Sequence, residues 1–370
     1  MRIRNWLRKI ALWQAVMVIA ILAWGFSEGL RAIALPAAQQ RLQPTLTGEA
    51  FIAGRTAAAI NHIMAHNLPI DPWARAAGGL FRWGLFRSGG PQVRVGCDGW
   101  LFLNEELRPW PDAEAAMGER VAALARIRDR LAARNIALLV AVVPDKARVH
   151  GDRLCGAPLS AQAAARHDRF LAALEARNLS PLPLLAPLQA LTARQDAYWR
   201  TDTHWNQDGA ATAAQAIAAR AAGLTLDRPG GFTTTRDVIL TPGPGDLLRL
   251  MGLDILPDGL RPPIDRQYLA HTREPEASGG LLDDDAGAPQ VALIGSSYSV
   301  NANFHGALQE ALGTRVTNLA RAGGGFSGAA SDYFSGATFR ESPPRLVIWE
   351  IPERVIGQPV TPEERAFLER

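Results

Sequence analysis

Three short apolar runs, each stopped by proline or glycine, set the tightest limit on what this chain can fold into. They are IALLVAVV at Ile136–Val143 before Pro144, VALI at Val291–Ile294 before Gly295, and RLVIWEI at Arg345–Ile351 before Pro352. A strand covered on both faces reads as a nearly unbroken apolar run, and these runs stop too soon to make stable helices. Helical spacing fills the intervals at Ala113–Arg134, Ala161–Arg177, Gln207–Ala221 and Phe304–Leu312, and again around Gly328–Phe339. Leu182–Leu188 and Thr314–Leu319 read as further strands, and Gly96–Leu103 (GCDGWLFL) as a turn at Asp98-Gly99 before a short strand. This alternation predicts an α/β layered domain with a mostly parallel sheet, whose site lies at the carboxyl ends of its strands. Residues 222–289 are rich in Pro and Gly and break the pattern, so they read as a loop-rich insertion and not as a second domain.

Charge is spread unevenly along the chain. Of 370 residues, 39 are Lys or Arg and 36 are Asp or Glu, but residues 1–36 hold Arg2, Arg4, Arg8, Lys9 and Arg31 against Glu28 alone. Beyond residue 36, the remaining 34 basic residues face 35 acids. A body without a basic excess argues against a nucleic-acid partner. The N-terminal charges precede a 17-residue run, Ile10–Phe26, in which only Gln14 is clearly polar. A basic flank before such a run reads as an export signal or a signal anchor, with the N-terminus in the cytoplasm and the rest outside it. Ala32-Ile33-Ala34 offers a cleavage pattern, so a removed signal peptide competes with an anchor over residues 1–36. A buried helix of a soluble protein is the blander alternative. Residues 37–90 are Ala- and Gly-rich, with an amphipathic stretch near Ile52–Met64 and breaks at Pro69, Pro72 and Gly90–Pro91. They read as a stalk or a small helical cap, and 91–370 as the main domain.

Two segments carry candidate chemistry. Ser297 follows an apolar run and Gly295, at a strand-to-helix turn that exposes a hydroxyl beside free backbone amides. Such amides stabilise a developing oxyanion. The segment GSSYS departs from G-x-S-x-G, since Ser299 replaces the second glycine, and a serine that merely caps the helix is the plain alternative. Asp202-Thr203-His204 supplies the other half. A serine nucleophile needs a base, and the base needs an acceptor that fixes its tautomer. An Asp two residues before a His can be that acceptor if the backbone turns between them. The alternative is that Asp202 serves a loop and His204 is packed or solvated. Asn206, just beyond, is a plausible N-cap for the next helix.

Other residues compete less well. His62 and His66 are spaced for a metal but lack a third ligand nearby, so an amphipathic helix explains them better. His150 follows Pro144-Asp145-Lys146 and reads as a sheet-edge or solvated loop residue; His167 and His271 sit in polar sequence, and His305 opens a helix just after Ser297. Lys146 is one of only two lysines. Arg321 precedes Gly323-Gly324-Gly325 at a strand end, but neither the P-loop nor the dinucleotide fingerprint is present. Two cysteines exclude a cysteine-built metal site or a disulfide scaffold; Cys97 and Cys155 are expected to form one disulfide in an exported domain, with two isolated thiols as the alternative. No metal and no cofactor is expected.

Five segments occur in one order: Gly99-Trp100-Leu101-Phe102, Val143-Pro144-Asp145-Lys146, Asp202-Thr203-His204-Trp205, Gly295-Ser296-Ser297-Tyr298-Ser299, and Trp349-Glu350-Ile351-Pro352-Glu353-Arg354. Together they resemble the SGNH-hydrolase-like proteins of the alginate O-acetyltransferase group, from bacterial exopolysaccharide acetylation systems, over roughly residues 95–356. The resemblance implies a flavodoxin-like three-layer fold in which the Asp/His pair precedes the serine, a permuted order. It implies Ser297 as nucleophile, His204 as base and Asp202 as its orienting acid. Lys146, Arg321, Tyr298 and the Trp349–Arg354 strand would support the cleft or its oxyanion. It further implies acetyl transfer to an exported exopolysaccharide through an acetyl-serine, or else hydrolysis of glycan acetyl esters or a non-catalytic polysaccharide-binding role. A membrane-bound O-acyltransferase would supply the acetyl group, and the catalytic domain would lie in the periplasm, held to the inner membrane. The chain runs about 16 residues past Arg354, which matches members without a carbohydrate-binding module.

Overall fold

The computed structural model describes residues 2–274 and 290–370. It divides into two compact units, Met1–Phe81 and Arg82–Arg370. The first is helical. Helix Arg2–Ala34 contains a 23-residue segment, Leu12–Ala34, long and apolar enough to cross a membrane, with mean hydropathy 1.6. Trp13, Ile19, Leu22 and Phe26 in it are exposed, unlike the side chains of a buried core helix. The short helices Pro36–Leu42 and Gly48–Ile52 and the longer Arg55–His66 follow, and Ala32, Ala38, Leu42, Ala59 and Ile63 close a small core. His62 and His66 both belong to the helix Arg55–His66.

The second unit is built on a sheet. Its described strands are β1 (Val93–Val95), β2 (Leu101–Leu103), β3 (Ala137–Val143), β4 (Leu182–Pro183), β5 (Thr233–Pro242), β6 (Arg266–Arg273), β7 (Val291–Ile294), β8 (Val316–Asn318) and β9 (Leu346–Pro352). Five pair in parallel in the order β4-β3-β9-β7-β8. The last strand in sequence is thus central, with Leu346 level with both Ala137 and Val291. Successive residues face opposite cores. Leu139, Ala141, Val143, Leu293 and Ile348 meet the helices Leu185–Thr192, Gln207–Arg220 and Phe304–Leu312. Val140, Val142, Ala292, Val347, Trp349 and Ile351 meet Ala113–Ala132, Ala161–Glu175 and Gly328–Ser335 on the other side. The continuous apolar runs follow from this double cover, and the result is a three-layer α/β/α domain.

One element differs from its expectation. Leu182–Leu188 contributes only the two-residue edge strand β4, and its remainder opens the helix Leu185–Thr192. Pro183 has no N–H to extend a ladder, while Pro187 falls in the first helical turn, where amides lack partners anyway. The insertion also holds regular structure: β5 and β6 pair antiparallel, with a register shift between Arg236 and Leu240, and the short helix Asp246–Met251 lies between them. Its final part, residues 275–289, lies outside the described residues.

Candidate active site

The carboxyl ends of β3, β7 and β9 lie side by side where the chain departs toward opposite edges of the sheet, to β4 from β3 and to β8 from β7. Such a point leaves a crevice above the strands. Ser297 stands there. The chain leaves β7 through Gly295, where a Cβ would meet Glu350 Oε2 at 2.6 Å and Ser299 Oγ at 2.8 Å, so only glycine lets the chain pass this close to β9. Ser296 Oγ then accepts the Tyr298 N–H at 3.2 Å and starts a tight turn, Ser297–Ser299. Glu350, buried on β9, accepts the Ser296 N–H at 2.7 Å, the Ser296 hydroxyl at 2.9 Å and the Ser299 hydroxyl at 3.0 Å. Burial pushes the Glu350 carboxyl up, and those donors pull it back. The serine turn is therefore held from below by the neighbouring strand.

His204 is delivered by a loop closed on itself. Tyr198 and Trp205 form an antiparallel bridge, and the Trp199 N–H donates to the His204 carbonyl at 3.2 Å. Asp202 Oδ1 accepts the backbone N–H of His204 at 2.9 Å, which is the turn the two-residue spacing requires, and meets His204 Nδ1 at 2.6 Å. A carboxylate only accepts, so Nδ1 carries the proton and Nε2 is free to take one. Nε2 lies 2.7 Å from Ser297 Oγ. Burial pushes the Asp202 carboxyl up, but the His204 hydrogen bond and charge and the amides of Asp246 and His204 outweigh it and hold it at about 2. The sequence candidates Ser297, His204 and Asp202 thus converge in one relay.

The supporting residues divide. Lys146 is fully buried, and its Nζ donates to the carbonyls of Leu101 at 2.6 Å, Arg200 at 2.8 Å and Asp202 at 3.0 Å. It ties β2 to the Asp202 turn; burial draws its ammonium down to about 8. Tyr298 donates its hydroxyl to the Thr203 carbonyl at 2.8 Å and accepts from Arg354 Nη1 at 3.1 Å, with its ring 5.0 Å from that of His204. Arg321 is placed otherwise. Its N–H donates to the Gly295 carbonyl at 3.0 Å, but its exposed guanidinium pairs with Asp332 at 2.9 Å and, among the described residues, makes no hydrogen bond to Ser297 or His204. Cys97 and Cys155 are joined, with Cα atoms 5.6 Å apart, beside the β1–β2 turn.

The other histidines lie elsewhere: His150 is buried against Trp100, His167 is bonded to Asp168, His271 to Asp237, and His305 to the Val316 carbonyl. From the sequence, Glu350 and Arg354 stood only as part of the cleft-supporting Trp349–Arg354 strand, and Asp246 had no role. Glu350 had a visible signal, a charge inside an apolar strand run. Asp246 had none beyond a Gly-Pro-Gly turn before it. Ligand atoms of Asp202, His204 and Asp246 lie within 4.8 Å of one another, as a metal would need. Here the three are joined by hydrogen bonds: Asp202 takes the His204 Nδ1–H and the Asp246 N–H, and Asp246 takes the Thr203 N–H and hydroxyl.

The sequence matches, over residues 93–353, the family of the SGNH hydrolase-like domain of acetyltransferase AlgX. It is 37% identical over 283 residues to a probable alginate O-acetylase AlgJ of Pseudomonas putida, covering 74% of this chain and 72% of that protein. A probable alginate O-acetylase AlgJ of Azotobacter vinelandii is 32% identical over 308 residues, covering 82% and 79%. The solved O-acetyltransferase domain of Pseudomonas putida AlgJ aligns with a TM-score of 0.66 at 33% identity, over 75% of this chain and 99% of that one.

Proposed function

This chain belongs to the AlgX family of SGNH hydrolase-like acetyltransferase domains, and from that premise we propose that it is an O-acetyltransferase acting on hydroxyls of an exported, alginate-like exopolysaccharide. The observation that carries the reading is the unbroken relay from Asp202 Oδ1 through His204 to Ser297 Oγ, at 2.6 and 2.7 Å. Both distances lie within the reach a nucleophile and its base require. His204 takes the Ser297 proton as Oγ attacks the acetyl carbonyl of a donor, and returns it to the departing group. An acetyl-serine remains. A sugar hydroxyl then attacks it, with His204 again as base, and Asp202 fixes the imidazole throughout. Backbone amides beside Ser297 hold the oxyanion. Lys146 and Tyr298 hold the loop that carries His204.

The same reading places the catalytic unit in the periplasm. The helix Arg2–Ala34 is the inner-membrane anchor, residues 37–90 the stalk or cap, and 91–370 the catalytic domain. A membrane-bound O-acyltransferase is the partner that brings acetyl groups across the bilayer. The apolar Leu12–Ala34 segment behind a basic N-terminus supports this orientation. Detergent-solubilised chain is incubated with an acetyl ester donor and mannuronate oligosaccharides, wild type beside Ser297→Ala. The reading expects acetylated sugar from wild type and none from the variant. Transfer by both would overturn the nucleophile, and donor hydrolysis without sugar acetylation would replace transferase by esterase.

A further inference from the structure

We propose that Asp246 is a positioning residue of this acyl-transfer site, a second carboxylate that braces Thr203 and faces the imidazolium formed on His204 when Ser297 gives up its proton. The inference rests on the acyl-transfer reading of Ser297, and deepens it. Asp246 comes from the insertion, at the start of the helix Asp246–Met251, between β5 and β6. Its Oδ1 accepts the Thr203 N–H at 2.8 Å, and its Oδ2 accepts the Thr203 hydroxyl. Oδ2 also stands 3.6 Å from His204 Nδ1, and Thr203 Oγ1 lies 3.3 Å from the same nitrogen. In return, the Asp246 N–H donates to Asp202 Oδ2 at 2.7 Å. The two carboxylates therefore share one edge of the imidazole, and each is locked to the other's loop.

The segment that brings Asp246 is itself docked on the His204 loop. Gly243 packs on the Trp199 ring, where a Cβ would meet Cε3 at 2.9 Å, and the Gly243 N–H donates to the Asp265 carbonyl at 2.8 Å. The Asp265 carboxylate takes both the backbone N–H and the guanidinium of Arg200. Gly245 adopts φ of 64°, the left-handed conformation glycine reaches freely, and so turns Asp246 toward Thr203.

The charges around the ring explain what a second anion does there. Asp202 and Asp246 face it from two segments; Lys146 lies behind the Asp202 carbonyl, and Tyr298, bonded to Arg354, covers the Thr203 carbonyl. Burial and the Asp202 charge push the Asp246 carboxyl up, so with a neutral ring the two acids oppose each other. When the Ser297 Oγ–H proton passes to Nε2 and Oγ bonds to the acetyl carbon, the new cation sits between them and relieves that repulsion. The proton then leaves on the donor's departing oxygen. Asp246 touches the Nδ1 edge, away from Ser297, and acts only through His204.

The test is hydrolysis of 4-nitrophenyl acetate by the full chain across neutral and mildly acidic pH, for wild type, Ser297→Ala, Asp246→Asn and Asp246→Ser. Asn and Ser both keep an acceptor for the Thr203 N–H but remove the charge, so either folded variant suffices. Removing the anion is expected to lower kcat/KM about tenfold through kcat, with KM unchanged, and to move the acid limb of the profile to lower pH. Lost rate with an unmoved acid limb would reduce Asp246 to a fold support. A wild-type profile in both variants would overturn the inference while Ser297 dependence stood. Turnover indifferent to Ser297→Ala would overturn the acyl-transfer reading and this inference with it.

Discussion

His150 lies with its ring 4.3 Å from that of Trp100, and its Nε2 accepts the Ala197 N–H at 3.3 Å. It is 2% exposed, against the sheet-edge or solvated position the sequence suggests. Burial, with the charges of Lys146 and Arg153, draws its proton affinity from 6.5 down to about 3. Between those values the unfolded chain binds a proton and the folded chain does not. The stability His150 contributes is therefore complete above pH 6.5 and is lost as pH falls toward 3. Over the upper part of that window the loss is on the order of 3 kcal/mol. Thermal melts from pH 7 to about pH 4 check this. Wild type is expected to lose Tm more steeply on acidification than His150→Gln, which keeps an acceptor for Ala197 but cannot titrate; equal slopes would contradict it. The burial was illegible because it depends on Trp100 and Ala197, fifty residues to either side in rough terms, arriving at the same point.

At the scale of elements, the carboxyl end of β9 positions the serine turn. Glu350 is the acceptor for three donors of Ser296 and Ser299, and Gly295 gives them room. Glu350→Ala leaves the Ser296 N–H buried without a partner, which costs about 1–3 kcal/mol in urea unfolding. The same substitution releases the turn, so kcat is expected to fall more than tenfold, since misplacing a reacting atom by about an ångström is that costly. Unchanged kcat in a destabilised variant would separate the fold of this turn from its function. The strands β3, β7 and β9 were legible because both faces are covered, which leaves unbroken apolar runs. β5 and β6 were not: much of β5 is exposed, Val238 and Ile239 included, so no buried face writes a period into the sequence. Asp202 and His204 were legible as a pair because two residues suffice for their turn. Asp246 was not, because its place beside them is made by the docking of a separate segment.

At the scale of the molecule, a nearly neutral catalytic unit follows a helix whose basic end and apolar Leu12–Ala34 segment suit an anchor. A polyanionic acceptor would then be held by local geometry and not by net charge. Beneath the site, Asp145, Arg166, Glu353 and Arg148 form a buried ionic chain between the end of β3 and the end of β9. The Arg148–Glu353 pair is bidentate, at 2.6 and 2.8 Å. Asp145 and Glu353 belong to the sequence motifs Val143–Lys146 and Trp349–Arg354, whereas Arg148 and Arg166 belong to neither, and the linkage appears only when the sheet brings β3 and β9 together. The family, the fold order and the relay all bear on one claim, that Ser297 carries the acetyl group between donor and sugar. Intact-mass spectrometry of the chain after brief exposure to an acetyl ester, followed by peptide mapping, tests it most directly. The account expects one added acetyl group on Ser297 that disappears when oligosaccharide is added and never forms in Ser297→Ala; acetyl transfer to sugar with no label on Ser297 would contradict it.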